Sequence, residues 1–332
     1  MAVEKKFKRH KINKFMKILI TGGAGFIGAH LAKRLLGRGD EVIIVDNLNS
    51  YYDPELKKAR LKNLLKGEKF IFYKVDITDR HELEKIFKKH KIDIICHLAA
   101  QPGVRHSLVD PWVYGTTNVQ GTINLMELAK NARVKKFILA SSSSVYGEKA
   151  KIPFSESYKI DSPASLYGAT KMATELMGYA YHHLHGLKVV ALRFFTVYGP
   201  WGRPDMAYFK FANLITAGKP IDIYNFGKMK RDFTYIDDII DGIMAVIKRN
   251  FNYEVFNLGN NKTVELEKFI SLLENNLGVK AKRNYLGNNP TEMIATWAKI
   301  DKAKKELGFK PKVSVEQGLK KFVAWYKDYY KK

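Results

Sequence analysis

The chain has 332 residues, of which 46% are hydrophobic and 12% aromatic, so its composition is that of a folded globular protein and excludes a disordered one. Its apolar runs are only as long as a strand, and we therefore predict a protein without a membrane segment. Lysine and arginine outnumber aspartate and glutamate by 57 to 33, a net charge of +24 that favours anionic partners. Because the lysines are spread over the whole chain, we expect a basic, solvated surface and no nucleic-acid partner.

Residues 1–15 form a basic segment that has no apolar stretch behind it and no small-residue cleavage site, unlike a secretory signal peptide. We predict a flexible N-terminal arm over residues 1–15 and a cytoplasmic protein. The single cysteine, Cys96, excludes an internal disulfide and fits a reducing compartment. We interpret Cys96 as a small buried apolar residue.

Strand-like apolar runs alternate with helix-like segments along the first part of the chain. The runs cover residues 18–20, 42–45, 70–75, 92–98, 137–140 and 189–194. This alternation predicts βαβ units, and hence an α/β fold of the Rossmann type with a doubly wound parallel sheet covered on both faces.

The alternation loosens from residue 199 into loops and short elements, which predicts a smaller C-terminal lobe. Within it, one helix is expected after Thr263 and another after Ser314, which has Gln317 in capping-box spacing. The predicted domains are residues 16–198, which also receive later segments around residues 230–260, and residues 199–332.

A glycine-rich loop follows the first strand-like run directly. Gly22, Gly25 and Gly28 have Gly-x-x-Gly-x-x-Gly spacing, and the residues after them have the periodicity of a helix that ends near Gly37. The missing side chains allow backbone N–H groups to approach a pyrophosphate at the start of that helix. The loop therefore predicts a dinucleotide-binding site.

Acidic residues follow the second and third strand-like runs. Asp46 stands eighteen residues after Gly28, where a carboxylate accepts hydrogen bonds from the ribose hydroxyls and repels a 2′-phosphate. This favours NAD over NADP. Asp76 has two open interpretations, namely a contact with the adenine edge or a helix cap before His81.

Tyr167 and Lys171 place a phenol and an ammonium group four residues apart, on one face of a predicted helix. A free tyrosine has a pKa of about 10 and is a poor base at neutral pH. A neighbouring lysine and a positively charged nicotinamide both stabilise the phenolate, so the pair predicts a catalytic base. The serine-rich segment 141–144 precedes the pair and offers a hydroxyl group to the reacting oxygen.

Six motifs, in this order, resemble those of the extended short-chain dehydrogenase/reductases that act on nucleotide sugars. They are the glycine loop, residues 97–100, residues 118–122, the serine-rich segment with residues 145–147, the Tyr-x-x-x-Lys pair and residues 231–238. The resemblance covers nearly the whole chain after Met16. It implies that Tyr167 is the base, that Ser142 assists it and that Lys171 holds the nicotinamide ribose.

The same resemblance implies NAD as the cofactor and a nucleotide-sugar site mainly in residues 199–332. The residues expected to contact NAD are Gly22, Gly25, Phe26, Ile27, Gly28, Asp46, Asn47, Asp76, Ile77, Leu98, Ala99, Ala100, Asn118, Tyr167 and Lys171.

The two positions before Val145 bear on the reaction. Dehydratases of the family carry an Asp-Glu pair there and related decarboxylases a glutamate, whereas this chain has Ser143 and Ser144. With no extra acid to divert a 4-keto intermediate, the resemblance implies an epimerase. Tyr167 is expected to remove the 4-hydroxyl proton while C4 gives its hydride to NAD, after which the sugar turns and the hydride returns to the opposite face.

Residues 46–54, 102–105 and 196–206 resemble the corresponding segments of UDP-glucuronate 4-epimerases. A uronate carboxylate needs charge-assisted hydrogen-bond donors, which the resemblance assigns to Thr196 and Arg203. The expected UDP-sugar contacts are Gly103, Val104, Arg105, Ser142, Ser143, Tyr167, Thr196, Arg203 and, at the diphosphate, Arg231. The alternatives are a UDP-glucose 4-epimerase, another nucleotide-sugar enzyme and a non-catalytic binder of nucleic acid.

Two segments of the predicted C-terminal lobe depart from the family pattern. Residues 290–293 read Pro-Thr-Glu-Met, and Lys299 stands where an acid is usual; both departures weaken the expectation of nucleotide contacts there. His182, His183 and His185 lack a spaced carboxylate or cysteine partner, so we predict no metal site.

Two further expectations concern helices. Family members commonly dimerise through a four-helix bundle, which implies a homodimer formed by the helices around residues 117–130 and 167–185. Asp237 and Asp238 are interpreted as caps of a helix that runs from residue 239 onwards.

Overall fold

The computed structural model describes residues 15–287 and 293–331, so all but the last residue of the arm predicted at 1–15 lies outside the described residues. The strands are β1 (Lys17–Thr21), β2 (Glu41–Val45), β3 (Ile71–Tyr73), β4 (Ile94–His97), β5 (Lys136–Ser142), β6 (Val189–Phe194), β7 (Thr196–Tyr198), β8 (Pro220–Ile223), β9 (Lys230–Arg231), β10 (Phe233–Tyr235), β11 (Tyr253–Leu258), β12 (Val264–Glu265), β13 (Lys282–Tyr285) and β14 (Ala295–Thr296). The α-helices are α1 (Phe26–Leu36), α2 (Pro54–Ala59), α3 (Arg80–Lys89), α4 (Gly121–Asn131), α5 (Leu166–His185), α6 (Ala207–Thr216), α7 (Ile236–Lys248), α8 (Leu266–Leu277), α9 (Asp301–Leu307) and α10 (Val315–Tyr330).

Seven parallel strands form the central sheet in the order β11-β6-β5-β4-β1-β2-β3. Their valine and isoleucine runs are buried on both faces, as a parallel sheet covered by helices requires. Successive residues of a strand point to opposite faces, so Leu19 and Ile20 of β1 enter two different cores. The predicted Rossmann-type doubly wound sheet is confirmed.

Each core joins the sheet to helices on one side of it. Ile20 belongs to the same core as Leu31 of α1 and Ile243 of α7, whereas Leu19 belongs to that of Leu83 in α3 and Leu125 in α4. All six side chains are buried, and burial of such a side chain stabilises the fold by about 1.5–3 kcal/mol relative to exposure. The strand ends are therefore held on a well-packed platform.

The register of the sheet brings the ends of three strands together. Thr21, at the end of β1, pairs with Val45 of β2 and with His97 of β4. Adjacent parallel strands thus finish at one edge, where ligands bind in open α/β sheets. The glycine loop, Asp46 and Leu98 follow these ends directly.

Two strands differ from the sequence prediction. Strand β3 ends at Tyr73, so the predicted end of the run at Val75 is wrong and Asp76 lies in the following turn. Strand β11 pairs with β6 at the edge of the sheet and was not among the predicted runs. The polar residues Glu254 and Asn257 interrupt its apolar pattern, which explains why periodicity did not reveal it.

The start of α7 corrects the interpretation of two acidic residues. The helix begins at Ile236, so Asp237 and Asp238 lie in its first turn and do not cap it. Acidic groups are favoured there by the helix dipole. The Asp238 carboxylate instead accepts hydrogen bonds from the backbone N–H groups of Lys312 and Val313, at 2.9 and 3.1 Å, and so attaches the segment before α10.

The C-terminal helices begin where the sequence predicts. Helix α8 follows Thr263 after the short strand β12, and α10 has a complete capping box formed by Ser314 and Gln317. Within residues 15–287 and 293–331, no helix combines the length and apolar character needed to cross a lipid bilayer.

Candidate active site

A cavity of about 440 Å³ lies at the carboxyl edge of the sheet. The glycine loop and the ends of β2, β4 and β5 form one side of it, and the start of α5 with residues 194–206 forms another. Of the predicted contacts, those lining the cavity are Gly22, Gly25, Phe26, Ile27, Gly28, Asp46, Asn47, Ile77, Leu98, Ala99, Ala100, Gly103, Val104, Ser142, Ser143, Tyr167, Lys171, Thr196, Arg203 and Arg231.

The glycine loop can adopt its tight conformation only because these positions lack side chains. Gly22 has a φ of +69°, and a Cβ atom there would meet the backbone nitrogen of Ala99 at 2.7 Å. A Cβ at Gly25 would stand 2.9 Å from the Gly22 carbonyl oxygen, and one at Gly28 would collide with the same oxygen. Gly25 immediately precedes α1, whose N-terminal N–H groups form a site for an anion such as a pyrophosphate. The loop therefore fits a dinucleotide.

Asp46 is buried, and its carboxylate is fixed by backbone N–H groups. One oxygen accepts from Ala24 in the glycine loop at 3.1 Å, and the other from Leu48 at 2.9 Å. The ammonium group of Lys57, which sequence reasoning missed, donates to the backbone and side-chain oxygens of Asn49 at 2.8 and 2.6 Å. Burial lowers the pKa of Lys57, and Asp46 opposes that shift. A single lysine in a helical segment gave no sequence signal for this position.

Asp76 belongs to a turn beside the cavity. Its carboxylate accepts hydrogen bonds from Asn47 Nδ2 at 2.6 Å and from the backbone and hydroxyl of Thr78 at 2.9 and 2.7 Å. The cap of α3 is Asp79, which accepts from the backbone of Glu82 at 3.0 Å. The helix-cap interpretation of Asp76 is therefore wrong.

Asn118 lies behind the wall that Leu98, Ala99 and Ala100 give to the cavity. Its buried amide accepts from the backbone N–H of Gln101 at 2.7 Å and donates to the carbonyl of the same residue at 3.1 Å. It also donates to Thr170 of α5 at 3.1 Å. In this structure Asn118 thus holds a cavity segment against the helix that carries Tyr167.

Ser142, Tyr167 and Lys171 meet at the junction of β5 and α5. Gly168 lets the helix approach closely, since a Cβ there would lie 2.6 Å from the Ser144 carbonyl oxygen. Ser142 ends β5, and its hydroxyl group donates to the Ser144 hydroxyl at 3.1 Å. The Lys171 ammonium group donates to the carbonyl of Ala140 at 2.8 Å.

The electrostatic surroundings of Tyr167 and Lys171 differ from the sequence expectation, in which Lys171 and the nicotinamide favour the Tyr167 phenolate. Burial raises the pKa of Tyr167, while the cation of Arg203 and the hydroxyl group of Ser142 act in the opposite direction. Burial also lowers the pKa of Lys171 to about 8, against the attraction of Glu175. Arg203, which the sequence argument gave to the substrate alone, is therefore the cation that favours the phenolate here.

A buried ion pair supports this junction from behind, and the sequence argument missed it. Glu175 and Arg193 have side chains only 4% exposed, and their Oε2 and Nη2 atoms are 2.7 Å apart. Ser141 also donates to Glu175. The available signal was the spacing of Tyr167, Lys171 and Glu175 along one face of α5.

The cavity wall formed by residues 194–206 carries Arg203. Its guanidinium contacts Asp205 through two hydrogen bonds, Nε to Oδ1 at 3.1 Å and Nη2 to Oδ2 at 2.5 Å. The preceding turn is held by the fully buried Arg60, which donates to the carbonyls of Trp201 and Gly202 at 2.8 Å each and to that of Ala24 at 3.1 Å. Arg60 thereby joins the glycine loop to the Arg203 loop. No sequence pattern indicated that role.

The other predicted substrate contacts, and Lys299, differ in whether they line the cavity. Thr196 begins β7, and Arg231 of β9 lines the cavity. Arg105 is exposed and lies over the ring of Tyr224, 4.7 Å from its centre. Lys299 pairs with Asp301 at 3.8 Å.

The two remaining expectations concern the segment that departs from the family pattern at residues 290–293 and the three histidines. Residues 290–292 lie outside the described residues, and Met293 lines the cavity. His182, His183 and His185 occupy the last turn of α5. Over residues 15–287 and 293–331, no group of three histidine, cysteine, aspartate or glutamate side chains is arranged to hold a metal ion.

Known proteins match this chain over most of its length. The model of the NAD dependent epimerase/dehydratase family matches residues 18–259. A UDP-glucuronate 4-epimerase of Thermodesulfobacterium geofontis is 49% identical over 311 residues, covering 93% of this chain and 96% of that protein. The structure of UDP-glucuronic acid 4-epimerase from Bacillus cereus with UDP-glucuronic acid and NAD is 39% identical, with a TM-score of 0.88 and coverage of 95% and 100%. That of UDP-glucose 4-epimerase from Thermotoga maritima with UDP-glucose is 33% identical, with a TM-score of 0.87 and coverage of 95% and 100%.

A glycine loop at the edge of a parallel sheet, facing a Tyr-x-x-x-Lys pair, defines a dinucleotide-dependent short-chain dehydrogenase/reductase. More narrowly, the chain belongs to the NAD dependent epimerase/dehydratase family. The predicted family and the choice of NAD as its cofactor are confirmed.

Proposed function

We propose that the protein is an NAD-dependent 4-epimerase that interconverts UDP-glucuronate and UDP-galacturonate. The observation that carries the proposal is the guanidinium of Arg203 on the cavity wall, close enough to Tyr167 for its charge to favour the phenolate. Such a group suits a sugar with a carboxylate at C6 better than a neutral hexose. The similarity to the UDP-glucuronate 4-epimerases of T. geofontis and B. cereus supports this substrate.

The glycine loop and Asp46 would hold the cofactor, with its pyrophosphate at the start of α1 and its adenosine ribose at the Asp46 carboxylate. In this site NAD would supply the hydride chemistry at C4, as acceptor and then as donor on the opposite face of the sugar. We assign the cofactor mainly to residues 16–198 and the UDP-sugar mainly to residues 199–332, with Arg231 at the diphosphate.

Tyr167 is the proposed base. As phenolate it accepts the proton of the 4-hydroxyl group, and it returns a proton to the 4-keto oxygen after the sugar has turned about its diphosphate linkage. Ser142 hydrogen-bonds the reacting oxygen, and Lys171 orients the nicotinamide ribose. General acid–base catalysis of this kind contributes about 10²–10⁴-fold to a rate.

The scarcity of carboxylates favours epimerisation over elimination. Among the described residues that line the cavity, Asp46 is the sole carboxylate, and it lies at the end assigned to adenosine. Ser143 and Ser144 line the cavity at the positions where the dehydratases of the family carry an acidic pair. A site without a second acid returns the 4-keto sugar to an alcohol and does not eliminate water from it.

We also propose a homodimer that pairs α4 and α5 with the same helices of a second copy. Leu176 and Leu184 lie on one face of α5 and are 62% and 70% exposed, and a partner helix would cover them. Sedimentation velocity should show a dimer for the natural chain and a monomer for Leu176→Glu.

A cytoplasmic location fits the free thiol of Cys96.

The substrate assignment is tested by measuring kcat/KM for UDP-glucuronate and UDP-glucose side by side, with the two epimers separated by chromatography. A site built to bind a carboxylate should favour UDP-glucuronate by about a hundredfold or more. Equal turnover of both sugars would establish an epimerase of broad specificity and refute the proposal of a dedicated uronate enzyme.

A further inference from the structure

The Arg203 guanidinium is already held along one of its edges. Its Nε and Nη2 atoms donate to the two oxygens of Asp205, at 3.1 and 2.5 Å. The parallel arrangement of these two bonds fixes the plane of the guanidinium as well as its position. Of its five N–H donors, the two on Nη1 and the second on Nη2 stay available to a ligand.

Asp205 acts from outside the cavity. Arg203 is among the residues that line the cavity, whereas Asp205 is not among the described lining residues. The two side chains are 25% and 26% exposed, so the pair is partly desolvated. Burial opposes ionisation of Asp205, but the Arg203 charge and the hydrogen bonds from Arg203 and Tyr51 together outweigh it and keep the pKa of that carboxyl below its usual value. Asp205 is thus a permanent anion behind the guanidinium.

Tyr51 holds Asp205 in turn. Its hydroxyl donates to the Oδ2 atom of Asp205 at 3.2 Å. Its ring packs edge-on against His106, with 4.9 Å between centres, and a Cβ at Gly103 would lie 2.6 Å from the hydroxyl oxygen. Tyr51 belongs to the loop that leaves β2 at Asp46, so a segment from the cofactor side supports the Arg203 pair.

We propose that Asp205 and Tyr51 are positioning residues that fix the Arg203 guanidinium for the C6 carboxylate and thereby determine the preference for a uronate over a neutral hexose. The inference rests on the proposed function. It assigns the specificity of the site to a three-residue unit, Tyr51–Asp205–Arg203, of which Tyr51 and Arg203 line the cavity and Arg203 is the proposed contact of the carboxylate.

The same unit bears on a side reaction. A 4-keto uronate is a β-keto acid: if its C5–C6 bond breaks, carbon dioxide leaves, the electron pair passes into the C4–C5 enolate, and C5 is then protonated. This loss requires the sugar ring to change shape so that C6 and its carboxylate turn to an axial position, where the breaking C5–C6 bond lies perpendicular to the C4 carbonyl plane. A guanidinium of fixed plane opposes that turn.

Binding is tested without turnover in a Tyr167→Phe background, by titrating UDP-glucuronate and UDP-glucose calorimetrically into the NAD-loaded protein. Adding Asp205→Asn should weaken UDP-glucuronate about tenfold, the value of about one well-placed charged hydrogen bond, and UDP-glucose less than about twofold. Adding Tyr51→Phe should act in the same direction by about twofold to threefold. Asp241→Asn is the matched control, since it breaks the exposed Arg34–Asp241 pair at 2.6 Å and should change neither affinity.

A second readout uses active protein. With Tyr167 intact, Asp205→Asn should raise the share of UDP-glucuronate that releases carbon dioxide instead of forming the epimer, which a purely structural role would not do. Tighter binding of UDP-glucuronate by Asp205→Asn would show that Asp205 competes with the substrate, and equal losses for both sugars would show a general structural effect. Either result overturns the inference alone. A natural chain with no preference for UDP-glucuronate refutes the proposed function as well.

Discussion

Two arginine–carboxylate pairs flank Tyr167, and they differ in what surrounds them. The pair of Glu175 and Arg193 joins the catalytic helix α5 to β6, with side chains 4% exposed. The pair of Arg203 and Asp205 lies in the cavity wall, with side chains 25% and 26% exposed. Their distances are similar, 2.7 and 2.5 Å, so geometry does not separate them.

Solvent access decides what each pair can do. A sealed pair cannot exchange partners without leaving a charge uncompensated in the protein interior, so Glu175 and Arg193 serve to fix the junction of β5 and α5. A pair at a cavity wall keeps donors that a ligand can reach, so Arg203 and Asp205 can act on a substrate. The buried Glu175–Arg193 pair should therefore govern the stability of the fold, and the Arg203–Asp205 pair at the cavity wall should govern the choice of substrate.

The largest expected effect is at the tyrosine between the two pairs. Tyr167→Phe removes the proposed base and should lower kcat about 10⁴-fold, while the melting temperature and the affinity for UDP-glucuronate stay close to those of the natural protein. Rapid-quench assays with product separation measure the rate. Activity within tenfold of the natural level would contradict the assignment of Tyr167.

Breaking the sealed pair should cost stability. Glu175→Gln leaves the buried Arg193 cation uncompensated and should lower the free energy of unfolding by about 3–5 kcal/mol, measured by urea denaturation. Asp205→Asn is the comparison variant and should cost less than about 1 kcal/mol, because its pair is partly solvated. Similar losses from the two substitutions would remove the distinction between the pairs.

The buried interior of the site also contains His97, the last residue of β4. Its ring nitrogens are hydrogen bonded to Thr21 and Thr122 at 2.7 and 3.0 Å. Burial, followed by the charge of Lys171, lowers the pKa of His97 to about 3. An unfolded histidine titrates near pH 6.5, so below that pH the unfolded state binds the extra proton and the folded state does not.

The contribution of His97 to stability is therefore complete above about pH 6.5 and is lost progressively as the pH falls toward 3. At pH 5 the loss should reach about 2 kcal/mol relative to pH 7. Urea denaturation at both pH values measures it, and the His97→Gln variant isolates this residue from other titrating groups. An unchanged pH dependence in the variant would show that His97 does not titrate in this way.

The smallest expected effect comes from a substitution that changes the shape of the cation in the Arg203–Asp205 pair but keeps its charge. Arg203→Lys keeps a cation but loses the planar fork, so the ratio of kcat/KM for UDP-glucuronate to that for UDP-glucose should fall about tenfold. The free energy of unfolding should change by less than about 1 kcal/mol. A ratio that stays the same would mean that charge alone, without geometry, selects the uronate.

Most of the fold and part of the site could be predicted from the spacing of residues that are close together in the sequence. The glycine loop, the Tyr167–Lys171 pair and the capping box before α10 each involve residues close together in the chain, so their spacing reflects one local backbone geometry. Strand β11 was missed because its polar residues hide the apolar pattern.

The contacts that sequence reasoning missed join distant parts of the chain. Tyr51 and Asp205 are 154 positions apart, and Arg60 reaches Gly202 across 142 positions. One sequence contains no periodicity that links such residues, because only the folded sheet brings their loops to the same edge. The glycine loop and the strand ends that line the cavity could therefore be predicted, whereas the support of Arg203 could not.

The central claim is epimerisation of UDP-glucuronate by hydride removal and return at C4, and proton NMR spectroscopy in deuterium oxide tests it most directly. The NAD-loaded protein, incubated with UDP-glucuronate, should form UDP-galacturonate that keeps hydrogen at C4, because a hydride returned from the cofactor does not exchange with solvent. Deuterium at C4, or no galacturonate epimer at all, would contradict the account.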